Sequence, residues 1–232
     1  MENILRGGFA AMGIEAGEEC LARFRKYFEY LADRSRHMNL TAITGEAEVA
    51  RLHFLDCGAL LNMADFSGKA VIDVGTGAGF PGLPLKILCP DIRLTLLDSL
   101  QKRVDFLQST CSLLELENVD CVHARAEESM QYREKFDIAV SRAVSRLNML
   151  CELCLPFVAV GGKFIAMKGP GGVQELAEAE NAIALLGGRV LGITDYTVPG
   201  TDITHSAVII EKTSPTPAKY PRRFAKIQKS PL

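Results

Sequence analysis

The run Val71-Ile72-Asp73-Val74-Gly75-Thr76-Gly77-Ala78-Gly79-Phe80-Pro81-Gly82 holds the residues best suited to chemistry in this chain. A short apolar stretch ends in three alternating glycines, and a helix-like segment follows. Glycine has no Cβ and reaches positive φ without penalty, so a strand-to-helix turn built from it lets a ligand lie against the backbone. Asp73 sits inside the apolar stretch, and a charge there needs a polar site beside it. A second apolar stretch, Leu94-Thr95-Leu96-Leu97, ends in Asp98, 23 residues after Gly75. A carboxylate at that place can accept both hydroxyl protons of a ribose. Glycine turn and carboxylate together point to a cofactor that contains a nucleoside.

Gly77-Ala78-Gly79-Phe80-Pro81-Gly82 also fits G-x-G-x-x-G, the dinucleotide fingerprint. That fingerprint works by aiming backbone N–H groups at a pyrophosphate. Pro81 and Pro84 remove donors from this turn, and Asp73 would place negative charge beside the phosphates. S-adenosylmethionine has no phosphate and carries a sulfonium and an ammonium. The acidic strand end suits it better, and Asp73, Gly75, Thr76, Gly77 and Gly79 are its candidate contacts.

The elements around the turn must hold it in place. Strand-like runs fall near 70–74, 92–97, 119–123, 136–140 and 162–167. They alternate with helix-like segments near 82–89, 99–115, 145–156 and 172–187. Such alternation predicts parallel strands covered by helices. Two further strand runs, 189–198 and 205–211, have no helix between them and read as an antiparallel pair at the sheet edge. The expectation is an α/β fold with a seven-stranded, mostly parallel sheet ending in an antiparallel hairpin. That is the arrangement of class I S-adenosylmethionine-dependent methyltransferases.

The first 65 residues read as helical. Leu21, Phe24, Phe28 and Leu31 form an apolar stripe over 18–36, and Val49, Leu52, Leu55 and Leu60 form another over 46–63. Three regions are therefore expected: an N-terminal helical extension over 1–65, the Rossmann-like domain over 66–212 and a basic tail over 213–232.

The chain has 232 residues, is 48% hydrophobic and has a formal net charge of −2. That composition is globular, and no apolar run is long enough for a membrane span or a signal peptide. The seven cysteines are scattered, which argues for a reducing, cytoplasmic setting rather than a disulfide framework. Cys151-Glu152-Leu153-Cys154 is a lone C-x-x-C without the second pair that structural zinc needs, so two partly buried helix cysteines are expected and no metal. Charge is uneven. Residues 212–232 carry six basic and no acidic side chains, while 1–211 hold 20 basic and 28 acidic. A basic, proline-bearing end fits nucleic acid and equally fits a solvated disordered tail.

Short pieces in order along nearly the whole chain resemble one family. They are Asn39-Leu40-Thr41-Ala42-Ile43, His53-Phe54-Leu55-Asp56, the glycine turn, Leu96-Leu97-Asp98-Ser99-Leu100 with Lys102-Arg103, Ser141-Arg142-Ala143, Met167-Lys168-Gly169 and the tail piece Lys219-Tyr220-Pro221-Arg222-Arg223. The chain resembles the bacterial small-subunit ribosomal RNA guanine-N7 methyltransferase G family, also called glucose-inhibited division protein B. Leu52 and Cys57 depart from the residues common in relatives. The resemblance implies methyl transfer from S-adenosylmethionine to N7 of a guanine in the 530 loop of 16S ribosomal RNA. It implies a cofactor site that includes Gly75, Phe80, Asp98, Ala126, Glu127 and Arg142.

Guanine N7 has an in-plane lone pair and no proton, so attack on a sulfonium methyl needs no general base. Alignment is the main task, and it can supply roughly 7–11 kcal/mol of such a barrier. No catalytic triad is therefore expected, and Arg142, His53 and Asp56 are the candidates near the reaction. Arg142 follows a strand run, at the rim where α/β sheets bind ligands. By resemblance it reaches the cofactor. Target base or phosphate is the other functional contact, and an ion pair with Asp137 or Glu152 the purely structural one. His53 and Asp56, three apart, can share a helix face and line a pocket or make a helix–core hydrogen bond. Arg34, Arg36, Lys102, Arg103, Lys168, Arg222 and Arg223 are candidate RNA contacts. Lys102 and Arg103 alternatively pair with Asp105 or Asp98, and Lys168 is alternatively solvated. The expected partner is 16S ribosomal RNA or the small subunit, with no membrane and a monomeric chain. A methyltransferase of the same fold acting on a small molecule or protein, and a non-catalytic nucleotide-binding assembly protein, are the alternatives.

Overall fold

The structure is a computed structural model that describes residues 1–142 and 145–232. Ala143, the last residue of the Ser141-Arg142-Ala143 match, lies outside the described residues. The alternating apolar runs form one seven-stranded sheet: β1 (Ala70–Val74), β2 (Arg93–Asp98), β3 (Val119–His123), β4 (Phe136–Arg142), β5 (Val158–Lys168), β6 (Gly188–Thr197) and β7 (Thr204–Lys212). Their order is β3-β2-β1-β4-β5-β7-β6. β1 to β5 pair in parallel, and β7 runs antiparallel to both β5 and β6. Strand order reverses between β1 and β4, and ligands of open α/β sheets bind at such a switch point, outside the carboxyl ends of the strands.

Successive strand side chains face opposite layers. Val71, Leu94, Leu96, Ile138, Val140 and Ile165 point into one core. Ile72, Leu97, Ala139, Phe164, Ala166 and Val208 point into the other. The first core is covered by α1 (Glu2–Ala11), α2 (Glu18–Ser35), a helical run over 46–62 (α3), α4 (Gly82–Leu88) and α5 (Gln101–Leu113). The second is covered by α6 (Leu147–Cys154), α7 (Gly172–Leu185) and the short α8 (Phe224–Lys229). Each fully buried Leu or Phe contributes about 2 kcal/mol.

Two details shift the sequence-based stripes. In α2 the buried residues are Leu21, Phe24, Tyr27 and Leu31, while Phe28 is half-buried. Tyr27 takes the inner place because its hydroxyl donates to the Ala78 carbonyl in the glycine turn. In α3 the turn over Ala50–Leu55 widens to π-helical geometry. Leu52 is thereby only partly buried, whereas His53, Phe54 and Leu55 face inward. Widened turns of this kind are often found at functional sites.

β5 begins at Val158, four residues before the run expected from sequence. Its pairing with β4 shifts register between Phe136 and Ile138, so the Gly161-Gly162 stretch stays in the strand. Cys151 and Cys154 are both wholly buried rather than partly so. Among the described residues no helix is long and apolar enough to cross a membrane. No three or more metal-ligating side chains converge among them either.

Candidate active site

The turn after β1 is held from below and from above. Below it, Asp73 Oδ2 accepts from Thr76 Oγ1 at 2.7 Å and from the Gly82 amide at 2.8 Å. Above it, Tyr27 caps the Ala78 carbonyl. Gly79 has φ +100°, and a Cβ there would come within 2.7 Å of the Tyr27 hydroxyl and also strike Leu83. Only glycine fits. Asp73 is fully buried and its Oδ1 has no partner among the described residues. Burial raises its carboxyl to about 6, against the two hydrogen bonds that favour ionisation.

Asp98, ending β2, accepts from the Gly77 amide at 2.9 Å and the Leu100 amide at 2.9 Å, and Arg103 stands 3.4 Å away. It lines a cavity of about 220 Å³ with Gly75, Ala126 and Glu127. Four residues named from the sequence as cofactor contacts thus meet in one cavity. Thr76, Gly77 and Gly79 build the turn at its edge, and Asp73 braces that turn.

A second cavity, of about 690 Å³, opens at the carboxyl ends of β4 and β5. His53, Asp56, Arg142 and Lys168 all line it, so four further sequence candidates meet. Arg142 lies 4.7 Å over the Phe80 ring, and the His53 ring centroid packs 4.4 Å from that of Phe80. Phe80 therefore ties the glycine turn to this cavity. Arg142 does not pair with Asp137 or Glu152. Asp137 accepts from the Ala70 amide, and Glu152 is taken by Arg222. The partner of Arg142 is Asp56, at 3.2 Å. Arg142 also donates to the Leu52 carbonyl at 3.2 Å.

His53 Nδ1 lies 3.0 Å from the Leu52 carbonyl, to which it donates in one tautomer, and 3.2 Å from Arg142 Nη2, from which it accepts in the other, while Nε2 lies 2.8 Å from Thr41 Oγ1. Burial, then the Arg142 charge, lowers the His53 imidazole to about 4, which leaves it neutral at pH 7. Asp56 Oδ1 accepts from Tyr196 and from His205 Nδ1, both at 2.8 Å. The Asp56 hydrogen bond raises His205 above its ordinary value. Tyr196 and His205 were not foreseen. They lie 140 and 149 residues from Asp56, on strands whose sequence carries no sign of which helix they will face.

Lys168 is buried rather than solvated. Its Nζ donates to the Ser145 carbonyl at 2.6 Å and pairs with Glu175 at 2.8 Å. Lys102 is exposed and Arg103 pairs with Asp98, while Asp105 accepts from Gln101. Arg34 lies 5.0 Å over Tyr30, which stacks on Phe106, and Arg34 and Lys102 share a surface cleft. Arg36 and Arg223 are exposed. Arg222 grips the buried Glu152 through Nε and Nη2 at 2.8 and 2.6 Å.

A glycine turn after β1, a carboxylate closing β2 and a reversed β7 inserted beside β5 define a class I S-adenosylmethionine-dependent methyltransferase. Solved structures share that fold. One is a SAM-dependent methyltransferase from Aquifex aeolicus, 17% identical, covering 72% of this chain and 94% of its own, with TM-score 0.54. Another is a mutant of MtNAS in complex with S-adenosylmethionine, 15% identical, covering 84% and 74%, with TM-score 0.57. The family model for rRNA small subunit methyltransferase G, GidB, matches residues 20–202. Curated relatives named ribosomal RNA small subunit methyltransferase G include one from Alkaliphilus oremlandii, 48% identical over 100% of this chain and 99% of its own. Another, from Clostridium perfringens strain SM101, is 43% identical over 99% and 98%. The chain belongs to the rRNA small subunit methyltransferase G family, and its cofactor is S-adenosylmethionine.

Proposed function

We propose that this enzyme, a cytoplasmic monomer, methylates N7 of a guanine in the 530 loop of 16S ribosomal RNA within the small subunit or its precursor. The observation that carries the reading is the pair of cavities next to the glycine turn, one lined by Gly75 and Asp98 and one by Arg142 and His53, which pack on Phe80. The first suits the cofactor's nucleoside and the second a flat base.

The residues present fit the cofactor. Asp73 Oδ1 is a buried acceptor without a donor among the described residues, and the cofactor's ammonium is a donor. Asp98 would take the ribose hydroxyls, Ala126 and Glu127 would flank the adenine, and Gly75 with Phe80 would bound the methionine portion. When bound, the cofactor supplies an electrophilic methyl group on a cationic sulfur.

The chain's own residues hold and orient the base. His53 is neutral and tied to Thr41, so it is a wall rather than a proton acceptor. N7 needs no deprotonation, so nothing in the cavity has to act as a base. Among the described residues three Lys or Arg side chains line the cavity, Arg142, Arg146 and Lys168, and each is paired with a carboxylate. A base that becomes cationic at N7 therefore meets a nearly neutral wall. Of the candidate RNA contacts, Arg34, Arg36, Lys102 and Arg223 are exposed and available to RNA phosphates.

The test is methyl transfer from labelled S-adenosylmethionine to small subunits from cells lacking this protein, with the product mapped by borohydride–aniline cleavage. Cleavage at one guanine of the 530 loop is expected. Label incorporated without cleavage there would discard this target, and no incorporation by a cofactor-binding protein would point to a small-molecule or protein substrate.

A further inference from the structure

Six cations and four prolines make residues 212–232 look like a solvated arm, yet the segment is fastened along its length. Lys212 is fully buried, with Nζ donating to the Leu155 carbonyl at 2.8 Å. Arg133 donates to the carbonyls of Thr216 and Tyr220. Tyr220 is buried against the second core. Arg222 holds Glu152, which also accepts the Arg222 amide at 2.8 Å. Ile227 is completely buried.

Phe224 lies between the last two anchors, two residues after Arg222 and three before Ile227. Its ring lines the cavity that contains Gly75, Asp98, Ala126 and Glu127. It is half-buried there, with the Arg125 guanidinium 6.0 Å from its centroid. An apolar aromatic ring held at the side of a nucleoside cavity has a natural counterpart, the flat face of a purine.

We propose that Phe224 is a cofactor-binding residue, and that the C-terminal segment is the outer wall of the purine subsite. The anchors explain the chain's composition. A short helix of six residues has no stability of its own, so the Arg222–Glu152 pair and buried Ile227 fix it from both ends. The ring is then presented without an ordering cost when the cofactor arrives. The tail's positive charge and its cofactor contact are separate properties. Arg223 and Lys226 point to solvent, whereas Phe224 points inward.

The test is calorimetric titration of Phe224→Ala with S-adenosylhomocysteine and, separately, with adenosine, alongside thermal unfolding without ligand. Loss of an aromatic face is expected to weaken both ligands by the same factor, about tenfold, with Phe224→Tyr restoring affinity. Phe224→Leu keeps apolar packing if the alanine variant unfolds, and it too should bind both ligands more weakly. Lys226→Ala with Lys229→Ala should leave both affinities unchanged. Native affinity in a folded Phe224→Ala or Phe224→Leu protein would overturn the assignment. So would a loss confined to S-adenosylhomocysteine with adenosine untouched, because that would place the effect at the methionine half.

Discussion

Arg142 and Asp56 meet at 3.2 Å although 86 residues separate them, and the contact joins the end of β4 to the residue that follows the π-turn of α3. Asp56 is almost wholly buried and is served by three side-chain donors: Arg142, Tyr196 and His205. Breaking a buried pair by removing one partner typically costs about 3–5 kcal/mol, because the other charge stays behind. Asp56→Asn keeps the shape and removes the charge. It is expected to lower unfolding free energy by about 3 kcal/mol and methyl transfer by about 100-fold through a misplaced Arg142. Urea unfolding and single-turnover rates check both. A variant with native stability and rate would show the contact to be incidental.

Gly79 fails as alanine for two reasons that point the same way: φ is +100°, and the new methyl would strike Leu83 and the Tyr27 hydroxyl. Gly79→Ala is therefore expected to abolish measurable S-adenosylhomocysteine binding. Tyr27→Phe removes the donor but leaves the ring among Phe54 and Phe80. The unpartnered Ala78 carbonyl should cost about 1–3 kcal/mol, with weaker cofactor binding as the turn loosens. Binding by Gly79→Ala at native strength would mean the turn is free to rearrange.

Local patterns made most of the sheet legible. Strand runs mark themselves by continuous apolar residues, and six of the seven strands begin within one residue of where those runs place them. The glycine turn and Asp98 are legible for the same reason, since their meaning lies within a few residues. What sequence withheld is long-range. Nothing near His205 says that β7 inserts between β5 and β6 and so carries the side chain to Asp56. Nothing near Phe224 says that Arg222 will find Glu152, 70 residues away. A basic stretch reads as a solvated or nucleic-acid surface until its partners are placed, and Lys168 illustrates this, because Glu175 becomes its neighbour only when α7 packs beside β5.

The two cavity histidines should titrate in opposite directions. His53 is lowered to about 4 by burial and by Arg142, and His205 is raised by its hydrogen bond to Asp56. A base lowered on folding contributes stability that is present above its unfolded value of 6.5 and lost as pH falls toward 4. The size is about 3 kcal/mol. A base raised on folding contributes stability that is present below 6.5 and lost as pH rises through its folded value. Asp73, raised to about 6, acts against His53 over the acid part of that window. The difference between wild type and His53→Gln isolates the first effect. It should shrink from pH 7 to pH 4, and imidazole NMR shifts should give His53 a midpoint near 4. A His53 midpoint at 6.5 would mean that the ring is solvated and the Arg142 contact absent.

Asp73 offers a test of cofactor placement that does not depend on turnover. Its carboxyl is raised to about 6 by burial, and Oδ1 lacks a donor among the described residues. If the cofactor's ammonium takes that oxygen, the charged form is favoured and the group ionises on binding. At pH 6 about half of the molecules carry the proton beforehand, so binding should release about half a proton, falling toward none at pH 8. The sign makes affinity rise with pH through this range. Calorimetry with S-adenosylhomocysteine, in two buffers of different ionisation enthalpy, reads the released proton directly. Asp73→Asn should remove the buffer dependence. Identical heats in both buffers at pH 6 with the wild-type protein would place the ammonium elsewhere and leave Asp73 as a brace for the turn alone.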